Sequence, residues 1–270
     1  MNRIILLSIF LFVIGCSKNE RNYTTIRDVA YDDFSKTKLD IHIPLKSTLH
    51  NPVIVYIHGG GWRSGDKSEW DEQKIEYFCN KGYICVSVNY RLSPDVVHPT
   101  HILDVANAIK WVEDNIPEYG GNSSNVTLIG HSAGAHLVAL IITNQKYLNN
   151  AGANIHNISK AYILDAGAYL IMNELVFEDN NILDMIYGAV GNDINSDLWK
   201  DFAPYNHIDD SKYIPYLIIA HSDTKYRCNA NGLFCEKLDE CNKDYTEYVL
   251  AEYSHADVFS KFPSYINNLQ

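Results

Sequence analysis

The stretch that decides the fold reads VTLIGHSAGAHLVALII over residues 126–142. Its first four residues are apolar or β-branched, as in a strand that is buried on both faces. Its last ten residues form a nearly continuous apolar run, which is long enough for a buried helix. The sequence GHSAG at 130–134 lies where they meet, and its two glycines permit a tight turn. The stretch therefore predicts a strand, a sharp turn at Ser132 and a helix.

Strands and helices alternate on both sides of this stretch. Two short strands are predicted first, at 24–31 and 38–43, and buried strands at 52–57, 83–88, 126–129, 161–164, 215–220 and 245–253. Helices are predicted at 70–80, 98–116, 133–142, 230–241 and at the end of the chain. We expect an α/β fold with a mostly parallel central sheet, helices on both faces, and residues 168–214 as a small insertion or lid. Active sites of such folds lie at the carboxyl ends of the strands.

The turn at 130–134 has the G-x-S-x-G pattern of a nucleophile elbow, which exposes a serine between a strand and a helix. The N–H groups at the start of the following helix would face negative charge that develops near Ser132. The pattern is short, so its position between a predicted strand and a predicted helix carries most of its weight. Ser132 is therefore a candidate nucleophile.

A second glycine-rich motif, HGGGW over residues 58–62, stands at the end of the first buried strand. It matches the HGGG-type motif whose backbone N–H groups complete an oxyanion hole. Glycines suit this role because the backbone must approach the substrate closely. A phosphate-binding loop is the alternative, but neither G-K-[ST] nor G-x-G-x-x-G is present here. The two motifs together predict one site at the strand ends.

These motifs resemble those of the α/β-hydrolases of the HGGG esterase type, close to the carboxylesterase and arylformamidase-like group. The sequence VSVNYRL at 86–92, Asp104 on the following helix and the glycine pair at 120–121 are also similar to that family. The resemblance extends over residues 25–265 and is most specific between 53 and 140. It implies serine-dependent hydrolysis of a small-molecule ester, without a metal or an organic cofactor.

The resemblance also implies a role for each site residue. Ser132 would attack the ester carbonyl. The oxyanion would be held by the backbone N–H groups of Gly60, Gly61 and Ala133. His255 follows the last predicted strand, where the family places its catalytic base. Trp62 is expected to shape the substrate pocket.

The acid of the triad should lie in the loop after the fifth buried strand, which reads HSDTK at 221–225. In many relatives the acid stands where this chain has Lys225. Asp223 is the only carboxylate in this loop, so we expect it to orient the base. Asp165, at the end of the preceding strand, and Asp257 are the alternatives.

The first sixteen residues have the features of a bacterial lipoprotein signal peptide. Arg3 precedes an apolar run at 4–14, which is too short to span a bilayer and suits a signal peptide. The run ends in VIGC at 13–16, which is similar to the lipobox whose cysteine is lipidated after cleavage. We expect a signal peptide at 1–15, a tether at 16–22 and an α/β-hydrolase domain at 23–270. Cys16 would then anchor the exported protein to a membrane of the bacterial cell envelope.

Besides Cys16, the chain has five cysteines: Cys79, Cys85, Cys228, Cys235 and Cys241. Disulfides are allowed in an exported protein, so a bridge within the last three and five free thiols both stay open. The spacings do not match the usual zinc-binding patterns, and we expect no metal site.

The chain has 22 Lys and Arg against 33 Asp and Glu, a formal net charge of −11. This excess of acidic residues argues against nucleic acid as a partner. Two classes of function stay open: a serine carboxylic-ester hydrolase, and a catalytically silent α/β-hydrolase that acts as an envelope binding protein, which the lysine at 225 motivates. Arylformamidase and peptidase activity remain alternatives within the first class, because one triad serves all acyl transfers.

Overall fold

The structure is a computed structural model that describes residues 21–46, 48–169 and 180–265. These residues form eight strands: β1 (Tyr23–Ala30), β2 (Lys38–Pro44), β3 (Asn51–Ile57), β4 (Ile84–Val88), β5 (Gly121–His131), β6 (Ile158–Leu164), β7 (Tyr216–Ser222) and β8 (Tyr245–Leu250). They also form eight α-helices: α1 (Glu72–Asn80), α2 (Thr100–Asn115), α3 (Ala133–Thr143), α4 (Lys146–Ala151), α5 (Asn180–Val190), α6 (Asp197–Phe202), α7 (Lys225–Glu240) and α8 (His255–Ser260). The predicted signal peptide and Cys16 lie outside the described residues.

The strands form one sheet in the order β1-β2-β4-β3-β5-β6-β7-β8. β1 pairs antiparallel with β2, and β2 pairs antiparallel with β4. From β4 to β8 all neighbours pair parallel. The carboxyl ends of β3, β5, β6 and β7 therefore meet at the same edge of the sheet. The predicted α/β class with a mostly parallel sheet is confirmed.

Alternate residues of β3 pack on opposite faces of the sheet, as the period of a strand requires. Val53, Val55 and Ile57 belong to the buried apolar cluster shared with α2 and α3. Ile54 and Tyr56 belong to the cluster on the other face. Every residue of α3 is buried, which explains why this helix is apolar on all sides. The strand and helix that flank Ser132 are thus held within the buried core.

The connection between β7 and α7 differs from the sequence prediction. β7 continues through Ser222, and α7 begins at Lys225 rather than at residue 230. Thr224 caps the helix, and its side chain accepts a hydrogen bond from the backbone N–H of Arg227. Such a cap satisfies an N–H group that has no partner inside the helix. The loop that was expected to carry the acid is therefore only two residues long.

The described part of the predicted insertion contains α5 and α6, and both helices are tied to the rest of the domain. Arg63, directly after the HGGGW motif, donates from Nη1 to Asp184 Oδ2 on α5 at 2.7 Å. On α6, Asp201 Oδ2 lies 2.9 Å from His98 Nε2 and also accepts from the hydroxyl of Tyr147. These contacts place α5 over the glycine-rich loop and α6 against the helices on that face.

All five cysteines of the described residues are free thiols: Cys79, Cys85, Cys228, Cys235 and Cys241. In the same part of the chain, no group of three or more His, Cys, Asp and Glu side chains is arranged to hold a metal ion. None of the helices in the described ranges combines the length and the apolar character needed to cross a membrane.

Candidate active site

Ser132 occupies the sharp turn between β5 and α3. Its backbone angles are φ 55° and ψ −119°, a region that non-glycine residues rarely adopt. The flanking glycines allow this turn because other backbone atoms come too close for any side chain. A Cβ at Gly130 would lie 2.3 Å from the carbonyl oxygen of Gly134, and a Cβ at Gly134 would lie 2.1 Å from that of Ile57. The spacing of the two glycines around Ser132 thus follows from the close packing of α3 against β3 and β5.

His255 faces Ser132 from the first turn of α8. Its Nε2 lies 3.0 Å from Ser132 Oγ, which is a hydrogen-bond distance. A capping box fixes the start of α8: Ser254 Oγ accepts from the N–H of Asp257, and the Asp257 carboxylate accepts from the N–H of Ser254. Asp257, one of the alternatives for the acid, is thereby explained as a helix cap. The side chain of His255 is 44% exposed, so the pair is open to a substrate.

The carboxylate that contacts His255 comes from Asp165, directly after β6. Asp165 Oδ2 lies 2.5 Å from His255 Nδ1, and the Asp165 side chain is fully buried. The structure does not bring Asp223, the expected acid, into contact with His255. Asp223 is exposed, and its Oδ2 accepts a hydrogen bond of 3.4 Å from the N–H of Glu252. The physical reason is the short loop between β7 and α7, which holds Asp223 beside the residues that follow β8 and away from the His255 ring.

Hydrogen bonds and a nearby positive charge hold the Asp165 carboxylate. Its Oδ1 accepts from the N–H of Ser222 at 2.6 Å and from Ser222 Oγ at 3.1 Å. Its Oδ2 faces His255 and lies 3.4 Å from Arg227 Nε. Burial alone would raise the pKa of Asp165, but the hydrogen bonds of His255 and Ser222 and the charge of Arg227 lower this pKa below its usual value. Asp165 is therefore ionised at neutral pH.

The HGGGW loop lies against the turn at Ser132, because a Cβ at Gly59 would come 3.2 Å from Ser132 Cβ. Gly60 and Gly61 have φ angles of 95° and 60°, which turn their peptide groups out of the strand direction. Within the described ranges, no acceptor is paired with the backbone N–H groups of Gly60, Gly61 and Ala133. Gly61 and Ala133 also line the same cavity as Ser132. These N–H groups are therefore available to an oxygen of a ligand.

Three other histidines near the site are neutral at pH 7. Burial lowers the pKa of His58 and of His131 to about 4, and that of His136 to about 3. His131 stacks on the ring of His255 with centroids 4.6 Å apart, and its Nε2 lies 3.1 Å from the His255 carbonyl oxygen. His58 stacks on Tyr90 at 4.4 Å. His58 and His131 thus support the loops of the site.

Ser132 opens into a cavity of about 240 Å³. Its apolar wall includes Trp62, Ala133, Ala168, Ile182 and Met185. Trp62 is buried, and its ring packs edge-on against His136 and Phe202 at 5.1 Å between centroids. His255 and Arg227 supply polar groups at the same cavity. An apolar cavity with a few convergent polar groups is the usual form of a small-molecule site.

Two residues of the site, Ser222 and Arg227, have no motif that could have identified them in the sequence. Ser222 bonds Asp165 because β6 and β7 pair in a register that the sequence does not reveal. Arg227 reaches the site because α7 begins earlier than its apolar spacing indicates. The sequence signal for Asp165 is its position directly after a predicted strand. The GHSAG turn has the same kind of position after its own strand.

The fold and the arrangement at the strand ends define the class of protein as an α/β-hydrolase. Among solved structures, esterase B from Lactobacillus rhamnosis matches with a TM-score of 0.76 at 19% sequence identity, covering 92% of this chain and 83% of that one. A truncated carbohydrate esterase from gut microbiota matches with a TM-score of 0.77 at 18% identity, covering 93% and 95%. At these identities the similarity shows the fold.

Within this class, the chain belongs to the BD-FAE family, whose family model matches residues 39–229. The probable carboxylic ester hydrolase LipM of Mycobacterium tuberculosis is 37% identical over 123 residues, which is 44% of this chain and 28% of that protein. The probable isoprenylcysteine alpha-carbonyl methylesterase ICMEL2 of Arabidopsis thaliana is 25% identical over 249 residues, 88% of this chain and 58% of that protein. The chain thus spans less than two thirds of the length of these relatives. The predicted resemblance to HGGG-type esterases is confirmed.

Proposed function

We propose that this protein is a serine carboxylic-ester hydrolase that acts through Ser132, His255 and Asp165. The observation that carries the proposal is the unbroken chain from Ser132 Oγ to His255 Nε2, 3.0 Å, and from His255 Nδ1 to Asp165 Oδ2, 2.5 Å. A buried carboxylate next to Nδ1 favours the proton on that nitrogen, which leaves Nε2 free to accept the serine proton. The membership in a family with esterase relatives supports the same assignment.

The reaction then follows from the positions of these groups. Ser132 Oγ attacks the ester carbonyl carbon while His255 Nε2 takes the hydroxyl proton. His255 then gives this proton to the leaving alcohol as the C–O bond breaks. A water molecule attacks the acyl-enzyme, His255 takes a proton from the water, and this proton returns to Ser132 when the acid is released. Asp165 stabilises the positively charged imidazole at each step without taking the proton itself.

The negative oxygen of the tetrahedral intermediate needs hydrogen-bond donors that are already in place. The unpaired N–H groups of Gly61 and Ala133 at the cavity, with that of Gly60, meet this need. One such donor contributes on the order of 100-fold in rate in enzymes where it has been removed. Trp62 and the apolar wall are proposed to hold the acyl or alcohol part of the ester.

The alternative of a catalytically silent protein was motivated by Lys225 in the place of the usual acid. With Asp165 against His255, the replacement at 225 no longer removes the acid, and no observation favours the silent alternative. Arylformamidase and peptidase activity would use the same groups. A comparison of short-chain esters, N-formyl aryl amines and peptide amides as substrates distinguishes these activities.

The proposed function is tested by the hydrolysis of p-nitrophenyl acetate by the purified chain. We expect Ser132→Ala to lower kcat by about 10⁴-fold or more, because it removes the hydroxyl that lies 3.0 Å from His255 Nε2. The control is Ser124→Ala, an exposed serine of β5 far from the turn, which should keep the activity of the unchanged chain. Equal turnover by a pure, folded Ser132→Ala sample would contradict the proposal.

We also propose that the chain is exported and lipid-anchored at Cys16, on the basis of the basic and apolar segments that precede VIGC at 13–16. Growth of expressing bacteria with an alkyne fatty acid should label the protein and place it in the membrane fraction. Cys16→Ser should abolish the label. A label that persists in this variant would contradict the anchor.

A further inference from the structure

Arg227 reaches the proposed catalytic carboxylate from α7, the helix that follows the loop where the acid was expected. Its Nη1 donates to the backbone carbonyl of Asp165 at 2.7 Å, and its Nε lies 3.4 Å from Asp165 Oδ2. The Arg227 side chain is 13% exposed, and that of Asp165 is fully buried. Charges that are shielded from water in this way interact more strongly than a pair at the surface.

The proton positions exclude a hydrogen bond between Arg227 and His255, although Arg227 Nη2 lies 3.4 Å from His255 Nδ1. Nδ1 carries the proton that it donates to Asp165, because Nε2 must accept from Ser132. A guanidinium group has donors only, so it cannot bond to a protonated nitrogen. His255 therefore donates to the Asp165 carboxylate, whereas Arg227 donates to the Asp165 backbone carbonyl and faces the carboxylate as an ion pair.

The backbone that carries Asp165 is held by α7 as well. Asp165 has a φ angle of 53°, which is strained for a residue other than glycine. The successive carbonyls of Asp165, Ala166 and Gly167 accept hydrogen bonds from the side chains of Arg227, Asn231 and Tyr226, in that order. Strained backbone persists only where its surroundings fix it. The first two turns of α7 provide this support for the segment after β6.

We propose that Arg227 is a positioning residue for the ester hydrolysis assigned above: it fixes the Asp165 carboxylate in the orientation that His255 requires. The inference rests on the proposed function, since it concerns the same triad. It also explains how the acid can stand after β6. The segment after β7, where the acid was expected, supplies the counter-charge and a hydrogen-bond donor instead.

The charges around Asp165 give the proposal a pH dependence. The titratable or charged groups that interact with it are Arg227, Cys228, His255, His131, Tyr169 and Tyr265. Among these, Arg227 is the group that stays positive at every pH of interest. Burial raises the pKa of Asp165, and His255, Arg227 and Ser222 lower it by a larger amount. Loss of Arg227 should therefore raise this pKa, and activity should fall at a higher pH as the solution is acidified.

Four variants of the full chain test the proposal. Arg227→Met removes the charge and the donors, whereas Arg227→Lys keeps the charge but has fewer hydrogen-bond donors. Gly167→Ala displaces the guanidinium indirectly, together with the Tyr226 ring, because a Cβ at Gly167 would come 2.4 Å from Arg227 Nη1 and 2.7 Å from Tyr226 Cε1. Lys237→Met, in the last turn of the same helix, is the matched control.

We expect Arg227→Met to lower kcat for p-nitrophenyl acetate on the order of 10- to 100-fold with KM changed less than threefold, because the base is misplaced while the cavity remains. The acid limb of the kcat/KM profile should move to higher pH. Gly167→Ala should shift the profile in the same direction, Arg227→Lys should recover part of the loss, and Lys237→Met should match the unchanged chain.

The inference is contradicted if Arg227→Met and Gly167→Ala keep the kcat and the pH profile of the unchanged chain within twofold, or if they raise KM alone. If circular dichroism shows that Arg227→Met does not fold, the kcat and pH profile of Gly167→Ala and Arg227→Lys decide whether the inference holds. An unchanged chain that hydrolyses no ester would overturn the proposed function instead. The two failures are thus distinguishable in the same experiment.

Discussion

Asp165 and Asp223 follow neighbouring strands, yet they have different surroundings. Asp165 is fully buried and bonded to His255 and Ser222, whereas Asp223 is exposed and makes a long contact with the N–H of Glu252. A carboxylate stabilises the imidazolium that forms during acyl transfer only when it contacts the ring nitrogen. At the scale of single residues, the assignment of the acid therefore depends on one contact of 2.5 Å.

This contact predicts unequal effects of two matched substitutions. Asp165→Asn should lower kcat by roughly 10³- to 10⁴-fold, because an amide favours the wrong tautomer of His255 and leaves its positive form uncompensated. Asp223→Asn should leave kcat within about twofold. Steady-state hydrolysis of p-nitrophenyl acetate measures both values. A large loss with Asp223→Asn and a small one with Asp165→Asn would reverse the assignment.

At the scale of elements, the turn from β5 to α3 holds Ser132 where the first turn of α3 packs against the end of β3. The helix can approach this closely because Gly134 has no side chain, and its α-carbon faces the carbonyl oxygen of Ile57. The burial of all residues of α3 stabilises the fold and offsets the free-energy cost of the strained backbone at Ser132. The nucleophile is therefore placed by the packing of an apolar helix.

We expect Gly134→Ala to destabilise the fold by about 1–3 kcal/mol or more, since the added Cβ would lie 2.1 Å from a backbone atom that cannot move aside freely. Gly232→Ala in α7 is the control, because a Cβ there meets nothing within 4 Å. That variant should gain about 0.5–1 kcal/mol from helix propensity. Urea unfolding measures both. Equal stability of the Gly134→Ala variant and the unchanged chain would contradict the packing argument.

At the scale of the whole molecule, α6 is joined to distant parts of the chain through Asp201. Its carboxylate bonds to His98 before α2, to Asn144 after α3, and to Lys146 and Tyr147 on α4. Burial raises the pKa of Asp201, but the hydrogen bonds from His98, Lys146 and Tyr147 hold it well below its usual range. This network holds α6, the second helix of the insertion, against the rest of the domain.

The lowered pKa of Asp201 makes stability depend on pH. Because the folded-state pKa lies below the unfolded value of about 3.9, the carboxylate stabilises the fold above that value and loses this contribution as pH falls through the folded pKa. Asp201→Asn should cost about 1–3 kcal/mol at pH 7 and less at pH 3.5. Urea unfolding at both pH values, with the exposed Asp197→Asn as control, checks this. A loss that is the same at both pH values would contradict the ionic role of Asp201.

The sequence predicted where the strands and the glycine motifs lie, but it did not predict which loops contact one another. The strands at 52–57 and 83–88 and the turn at Ser132 could be located because buried strands and glycine motifs leave local patterns. The acid could not be identified in this way, because the end of β7 and the start of α7 decide which aspartate contacts His255. Those limits depend on the Thr224 cap and on packing across the sheet, which no local pattern records.

Covalent labelling with a fluorophosphonate, read by intact mass and peptide mapping, tests whether Ser132 is the activated nucleophile. We expect one adduct per chain, located on Ser132 and absent from Ser132→Ala. We also expect slower labelling of Asp165→Asn and unchanged labelling of Asp223→Asn. A folded chain that takes no adduct, or takes it at another residue, would contradict the assignment of Ser132 as the nucleophile.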